Sequence, residues 1–536
     1  MRKLFVILAV LTLVAVPAMA ELQNVTVGGS IQIRANYYMS AFGDTPEVRW
    51  PNRFNVRFLP VRAVGNNTNF GVINSNADIF SPFDWNDKGN DLDIVEQRTR
   101  LNVNADFTDE VSAFIELDSY DTWGEDFRSN YVTGADFAPV AAGVGTTDDV
   151  EIYQAYIQAE EMWGTPLRLR VGRQELSFGS EFLVGTNDTN SFFTGLSFDG
   201  IRATYGTDMF SVDAWAAKLN EVFAFEEDGD TDFYGVYGSY TGMENISIDA
   251  YWMLVRDAAG FEDTPGTWLP EWIENWLGVD DYDPTYLHTV GLRGAGTVDA
   301  FDFEAEFAYQ FGDADQVGRT FRPFGFTYAD NDADFDGNWA VNGELGYTFD
   351  MNYQPRVFVG GAYFTGEDNR DVSVLEWLNP FDMPEASVGF NRLFSNWEYS
   401  QFLDTNADMS NFWAIRAGVS AKPTESVEVM LKGTYLVADE AFDAPRHIKI
   451  GRYRVPVQPR WSFWTTQNDE DLGIEAELSA KYNYSEDLVF EAGWAHLFVD
   501  DGLKDGSFTS NNGLVFNGGT SDDDADYVYV ETRLSF

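Results

Sequence analysis

Arg98 and Arg100 stand two residues apart, as do Arg168 and Arg170, and Arg202 follows further along. On an extended strand residues i and i+2 share a face, so each doublet presents two guanidinium groups side by side. Such groups clamp carboxylates or phosphates bidentately, which suits the recognition of anions. Carboxylates recur at the same interval, as Glu116 with Asp118, Glu304 with Glu306, and Glu475 with Glu477. Bond-making chemistry has little to work with. The three histidines, His288, His447 and His496, adjoin no serine nucleophile motif, and neither zinc spacing nor a phosphate-binding loop occurs. Cysteine is absent, which removes disulfides and thiol chemistry. What remains is the sorting of charge: no catalytic residue and no cofactor are expected.

The elements that carry these residues read as strands. In 98–107, Leu101, Val103, Ala105 and Phe107 oppose Arg98, Arg100, Asn102, Asn104 and Asp106. In 301–312, Phe301, Phe303, Ala305, Phe307, Tyr309 and Phe311 oppose Asp302, Glu304, Glu306 and Gln310. In 472–484, Leu472, Ile474, Ala476, Leu478, Ala480, Tyr482 and Tyr484 oppose Glu475, Glu477, Ser479, Lys481 and Asn483. About eighteen segments alternate in this way. Their lengths match the roughly 9–11 residues of a tilted membrane strand. The final segment, Asp526 to Phe536, alternates too and ends on an aromatic residue, as the closing strand of an outer-membrane β-barrel does. Phe536 resembles the signal read by the bacterial barrel-assembly machinery.

The connections sharpen this. Short turns rich in Gly, Pro, Asn, Asp or Ser fall at Thr108-Asp109, Trp163 to Pro166, Gly206 to Asp208 and Thr241 to Glu244. Others fall at Gly296-Thr297, Asp350 to Gln354, Lys422 to Glu425 and Ser485 to Asp487. Long polar stretches lie between them, near 41–90, 122–149, 175–194, 220–231, 258–285, 313–337, 366–410, 439–470 and 500–525. Strict alternation of short and long is the periplasmic-turn and extracellular-loop pattern of a bacterial barrel, with both ends of the chain in the periplasm. The predicted fold is all-β, one antiparallel transmembrane barrel of about eighteen strands over residues 21–536. Aromatics near strand ends, as in Tyr37-Tyr38, Trp163, Trp339, Tyr347, Phe349, Tyr482 and Tyr484, fit interfacial girdles.

Composition agrees. Residues 1–20 read as a secretory signal: Arg2 and Lys3, the apolar run Leu4 to Val16, then Ala18-Met19-Ala20 before Glu21. Aromatics make up 16% of the chain, yet no later segment approaches the roughly 18 consecutive apolar residues of a membrane helix. The formal net charge is -53. That excludes nucleic acid and anionic membrane surfaces as partners. A location in a Gram-negative outer membrane follows, with lipid outside the barrel and small hydrophilic solutes or an anionic oligosaccharide inside.

Four stretches together resemble the alginate-export family of outer-membrane porins. Leu167 to Tyr205 contains VGRQ at Val171 to Gln174, Gly179, LVG at Leu183 to Gly185, and FDGIR at Phe198 to Arg202. Gly343 to Glu367 is similar to that family's strand pair, Asn411 to Leu436 to its strand, Lys-Pro turn and strand, and Gly473 to Leu497 to a later hairpin. The resemblance implies a monomeric eighteen-stranded barrel with an arginine-lined pore for an anionic uronic-acid polymer. Arg98, Arg100, Arg168, Arg170, Arg173 and Arg202 match its basic strands, Arg173 at a strand end. Strand phase puts Arg98, Arg100, Arg168, Arg170 and Arg202 in the lumen, together with Arg356. The same phase adds Glu116, Asp118, Glu160, Asp302, Glu304, Glu306, Glu344, Glu475, Glu477 and Glu531, so a basic arc would face an acidic one. Opposed arcs suit a diffusion porin better than a polyanion exporter, whose cargo acidic walls repel.

Several alternatives stay open at this level. The lumen arginines could instead pair with carboxylates and stiffen the wall. The 366–410 connection, with Phe381, Phe390, Phe394 and Trp397, could fold inward as a constriction or stand outward. Asp332, Asp334 and Asp336 before Gly337 open like a calcium loop, but Gly343 stands where the bidentate Glu is needed. The expected function is a porin passing hydrophilic solutes. An export pore for an acidic exopolysaccharide such as alginate, and a plugged surface barrel holding Ca2+ on its acidic loops, are the alternatives.

Overall fold

The computed structural model describes residues 22–42, 90–123, 150–186, 195–221, 230–258, 285–313, 333–366, 390–404, 410–439, 469–504 and 524–536, with short strand pieces in 320–328, 386–387 and 443–467. The signal segment 1–20, Phe381 and Asp332 lie outside them, as do the side chains of Asp334 and Asp336.

The alternating segments form one ring of strands. It begins with β1 (Asn24–Phe42), β2 (Asn90–Thr108), β3 (Val111–Thr122), β4 (Glu151–Ala159), β5 (Leu167–Gln174) and β6 (Phe198–Gly206). It continues through β7 (Phe210–Asn220), β8 (Thr231–Met243), β9 (Ile246–Asp257), β10 (Thr285–Val298), β11 (Phe301–Asp313) and β12 (Ala333–Thr348). It ends with β13 (Arg356–Phe364), β14 (Phe412–Thr424), β15 (Val427–Ala438), β16 (Asp471–Asn483), β17 (Leu488–Val499) and β18 (Ala525–Ser535). Every consecutive pair is antiparallel, and β18 returns to β1 from Ser30↔Ser535 to Met39↔Asp526. Closure leaves almost no sheet edge, the condition for crossing hydrocarbon with strands.

Period-2 alternation separates two environments. Outward side chains are apolar and open, among them Leu292 at 57% exposure, Ile157 at 63% and Val530 at 55%. So large an apolar surface is untenable in water and at home in lipid. Aromatics bracket it. Tyr205 with Phe210, Phe301 with Tyr347, and Tyr482 with Phe490 ring the short-turn end. Trp339 with Tyr363 and Trp413 with Tyr435 ring the other. Tyr37 belongs outside, but its neighbour Tyr38 points inward and stacks on Tyr527 at 4.3 Å. A pleated strand cannot put two successive residues on one face.

One turn and two bulges depart from the predicted pattern. The β10–β11 hairpin turns at Asp299-Ala300 rather than at Gly296-Thr297, with Asp299 at φ 55°, a left-handed conformation that Asp tolerates. Leu472 is the extra residue of a bulge against Leu436 and Val437 and is fully buried instead of facing lipid. A second bulge, where Glu116 pairs with Gln154 and Leu117 with Ile152, turns both Tyr153 and Gln154 inward.

Gly172, inside the VGRQ stretch, has φ 130°, and a Cβ there would lie 2.3 Å from the Ala155 carbonyl oxygen. Gly172→Ala is therefore expected to cost at least the roughly 1–3 kcal/mol of a strained backbone residue. A lower urea midpoint for loss of the heat-modifiable folded barrel checks it, and an unchanged midpoint would show that β4 can move aside.

Candidate functional site: a pore constriction

Charges line the inner wall where alternation places them, but mostly as pairs. Arg98 forks onto Asp118 through Nε and Nη2 at 2.8 and 2.6 Å. Arg100 lies 3.8 Å from Asp118 and 3.9 Å from Glu175, and its guanidinium covers the Tyr153 ring at 4.3 Å. Arg202 donates to Asp213 at 2.7 Å. Gln154 donates to Glu116 at 2.7 Å, and Gln158 to Glu160 at the same distance. The predicted acidic arc is not bare. Arg293 reaches Asp249 at 2.7 Å and Glu304 at 3.0 Å, with Glu306 at 3.9 Å. Arg356 donates to Asp302 at 3.0 Å and to Glu344 at 2.8 Å. Arg416 pairs with Glu344, Lys432 with Glu477, and Arg34 with Glu531. Opposed arcs therefore give way to pairs, because cross-strand neighbours lie close enough to neutralise one another.

Arg168 and Arg170 are different. Arg168 donates to Thr204 at 3.3 Å, while Arg170 donates to Gln158 at 3.0 and 2.7 Å and lies 4.1 Å over the Tyr156 ring. Among the described residues no carboxylate pairs with either. Arg173, matched to the same basic strands by resemblance, does not join them. It faces outward and forks onto Asp199 at 2.8 and 2.9 Å.

Two long connections fold into the lumen and pack on each other. Residues 175–186 follow β5, and residues 390–404 precede β14. Gly185 donates to the Phe394 carbonyl at 2.9 Å, Phe394 to Leu183 at 2.8 Å, and Asn396 to Glu181 at 3.0 Å. The Asn396 side chain donates to the Glu181 carboxylate at 2.6 Å, and Trp397 Nε1 donates to the Ser180 carbonyl. Phe178 stacks between Trp215 at 4.5 Å and Tyr237 at 4.9 Å. Phe394 lies against Phe198 and Phe233, Phe182 against Phe364, and Phe402 against Tyr38 and Tyr527. Burying Phe182, Leu183, Phe394, Phe402 and Leu403 contributes roughly 1.5–3 kcal/mol per side chain. The inward fold thus outweighs thermal excursions.

Polar anchors fasten this diaphragm round the wall. Tyr153 donates to Glu175 at 2.6 Å, and Ser180 meets Glu306, which also accepts from Tyr251 at 2.8 Å. Gln310 exchanges two bonds with the Asn391 backbone at 2.6 and 2.8 Å, and Tyr399 donates to Asn342 at 3.0 Å. Fully buried Glu475 accepts from Ser400 Oγ at 2.6 Å and from the Gln401 amide at 3.0 Å. Within the second segment Arg392 and Asp404 form a pair wholly removed from solvent, at 2.8 Å. Arg392→Ala leaves Asp404 buried without its cation, at a cost of about 3–5 kcal/mol to the segment. Amide exchange over 390–404 should accelerate while the barrel strands stay protected, and uniform exchange would show that the pair is dispensable.

Strand phase thus located the wall charges, and 390–404 takes the inward course. Sequence reasoning missed the matching role of 175–186, the platform Tyr153, and the lumen cations Arg34, Arg293, Arg416 and Lys432. The cations could have been found by extending strand phase to every strand. Tyr153 could not, because its orientation depends on a bulge.

The family profile described as Alginate export matches residues 79–511. The chain belongs to the alginate export family. The match spans β2 to β17, including both inward segments. No curated protein matches the chain. Among solved structures, this family member is similar to OccAB3 of Acinetobacter baumannii, at 10% identity and TM-score 0.47, covering 95% of this chain and 99% of that one. OprD of Pseudomonas aeruginosa is similar at 12% identity and TM-score 0.45, with 96% and 98% covered. As an outer-membrane barrel of the alginate export family, the chain places its short turns in the periplasm and its long loops outside.

Proposed function

We propose that this barrel is a constricted channel for hydrophilic solutes that favours anions. One observation carries the reading: Arg168 and Arg170 face the lumen near the periplasmic mouth with no carboxylate partner among the described residues. Paired charges act as dipoles whose field falls steeply, whereas unpaired charges set the potential along the path. The diaphragm fixes the aperture, and no cofactor or energy source is required. In planar bilayers the reversal potential across a KCl gradient should carry the sign of chloride preference. A pore with none, or with cation preference, would refute it.

A second reading is favoured by a surface next to these arginines. Phe114 and Tyr156 stack at 5.2 Å, half-buried in the lumen, with Arg170 over Tyr156. Aromatic faces accept the apolar face of a sugar ring while a guanidinium takes its carboxylate, so an acidic exopolysaccharide would fit in export. Uronic-acid oligomers would then reduce conductance at concentrations where neutral oligomers of equal length do not. The protein works as a monomer, assembled by the machinery that reads β18 and Phe536. Calcium on the acidic loops around Asp332, Asp334 and Asp336 belongs to the plugged surface-barrel alternative, which any steady conductance would remove.

A further inference from the structure

The ring is closed, yet one strand runs past its neighbour. Pairing between β1 and β18 stops at Ser30↔Ser535, with Gly29 and Phe536 exchanging backbone bonds of 3.0 Å. Pairing between β1 and β2 continues to Asn24↔Asp106. Residues 24–28 therefore have a partner on one side only, among the described residues. Backbone N–H and C=O groups alternate sides along a strand. Since Gly29 bonds toward β18, Val27 and Val25 aim theirs the same way, where no described residue meets them. An exposed edge of this kind is a template for an added strand.

We propose that residues 24–28 of β1 form a periplasmic docking edge for an extended segment of another protein whose residues alternate apolar and cationic. The two faces of the edge specify that alternation. Outward, Val25 and Val27 are 46% and 63% exposed, so the added strand meets apolar neighbours there. Inward, Asn24 stands at the lip of a cavity of about 400 Å³ in the periplasmic mouth. Asp106, Asp109, Glu110 and Glu160 line that cavity, and no cation does. A lysine or arginine on the inner face of the added strand would reach these carboxylates. A second copy of this chain is disfavoured, because it would bring the same acids to the seam.

The test uses the full chain in detergent micelles at physiological salt and a fluorescent peptide of alternating Lys and Val. A Lys-Pro peptide of equal charge, which lacks half the amide donors, serves as control. The Lys-Val peptide should bind about tenfold tighter than the Lys-Pro peptide. Val27→Pro, which removes one edge donor and no β1–β2 bond, should abolish that difference while the barrel stays heat-modifiable. Equal binding of both peptides, no saturable binding, or undiminished binding to Val27→Pro overturns the proposal. So does a dimer that Val27→Pro dissolves. Should Val27→Pro not fold, amide exchange at Val25 and Val27 in the unaltered chain decides: the Lys-Val peptide should slow it, and unchanged exchange refutes the docking edge.

Discussion

Reversing Arg168 and Arg170 together, as Arg168→Glu with Arg170→Glu, is expected to invert the ion preference of the pore. Neither guanidinium forms an ion pair with a carboxylate among the described residues; the acid nearest Arg170, Glu160, is joined to it only through the Gln158 amide. Replacing two positive by two negative charges changes the local charge by four. At several ångströms in water each unit is worth somewhat under 1 kcal/mol before screening, so the anion-to-cation permeability ratio should fall on the order of tenfold or more. The reversal potential across a KCl gradient should change sign. Arg356→Glu changes the charge by two rather than four, at a place where Asp302 and Glu344 already outnumber the cation, and is expected to do less. Equal effects at both places would show that pairing does not govern the field.

Removing the diaphragm should have the larger effect on conductance. Excision of 392–403 with a short glycine bridge deletes Phe394, Tyr399 and Phe402, which fill the lumen between β1, β6, β8, β14 and β18. A ring of this strand number encloses an aqueous channel when nothing plugs it. Single-channel conductance should therefore rise several-fold, and ion preference should weaken as the path widens. Unaltered conductance would mean that ions pass beside the two segments. Releasing only the Glu475 anchor by Glu475→Gln should produce neither change, since Gln310, Asn342 and the aromatic contacts still hold the segment.

Much of the barrel was legible because its rule is local. Alternation such as Leu101, Val103 and Ala105 against Arg98, Arg100 and Asn102 needs only neighbouring residues, and it yields both strand number and lumen face. The bulges at Leu472 and Tyr153 break that rule through a partner strand that local alternation does not show. The inward course of 175–186 was illegible for a stronger reason. It depends on Val184 meeting Phe394, more than two hundred residues away, and on a pocket assembled by β7, β8 and β11. Charge pairing fell in between. Arg293 and Arg416 are plain in the sequence, but that they neutralise Glu304 and Glu344 is a matter of register.

Lipid touches one alternate set of side chains and water the other. The chain has no native cysteine, so single replacements report without background. Ile157→Cys and Val171→Cys place the thiol among the outward residues, while Gln158→Cys and Arg170→Cys place it one position away in the lumen. In proteoliposomes a charged, membrane-impermeant thiol reagent should modify Gln158→Cys and Arg170→Cys and spare the other two, which a lipid-soluble maleimide should label. Equal labelling of all four by the charged reagent would contradict the account.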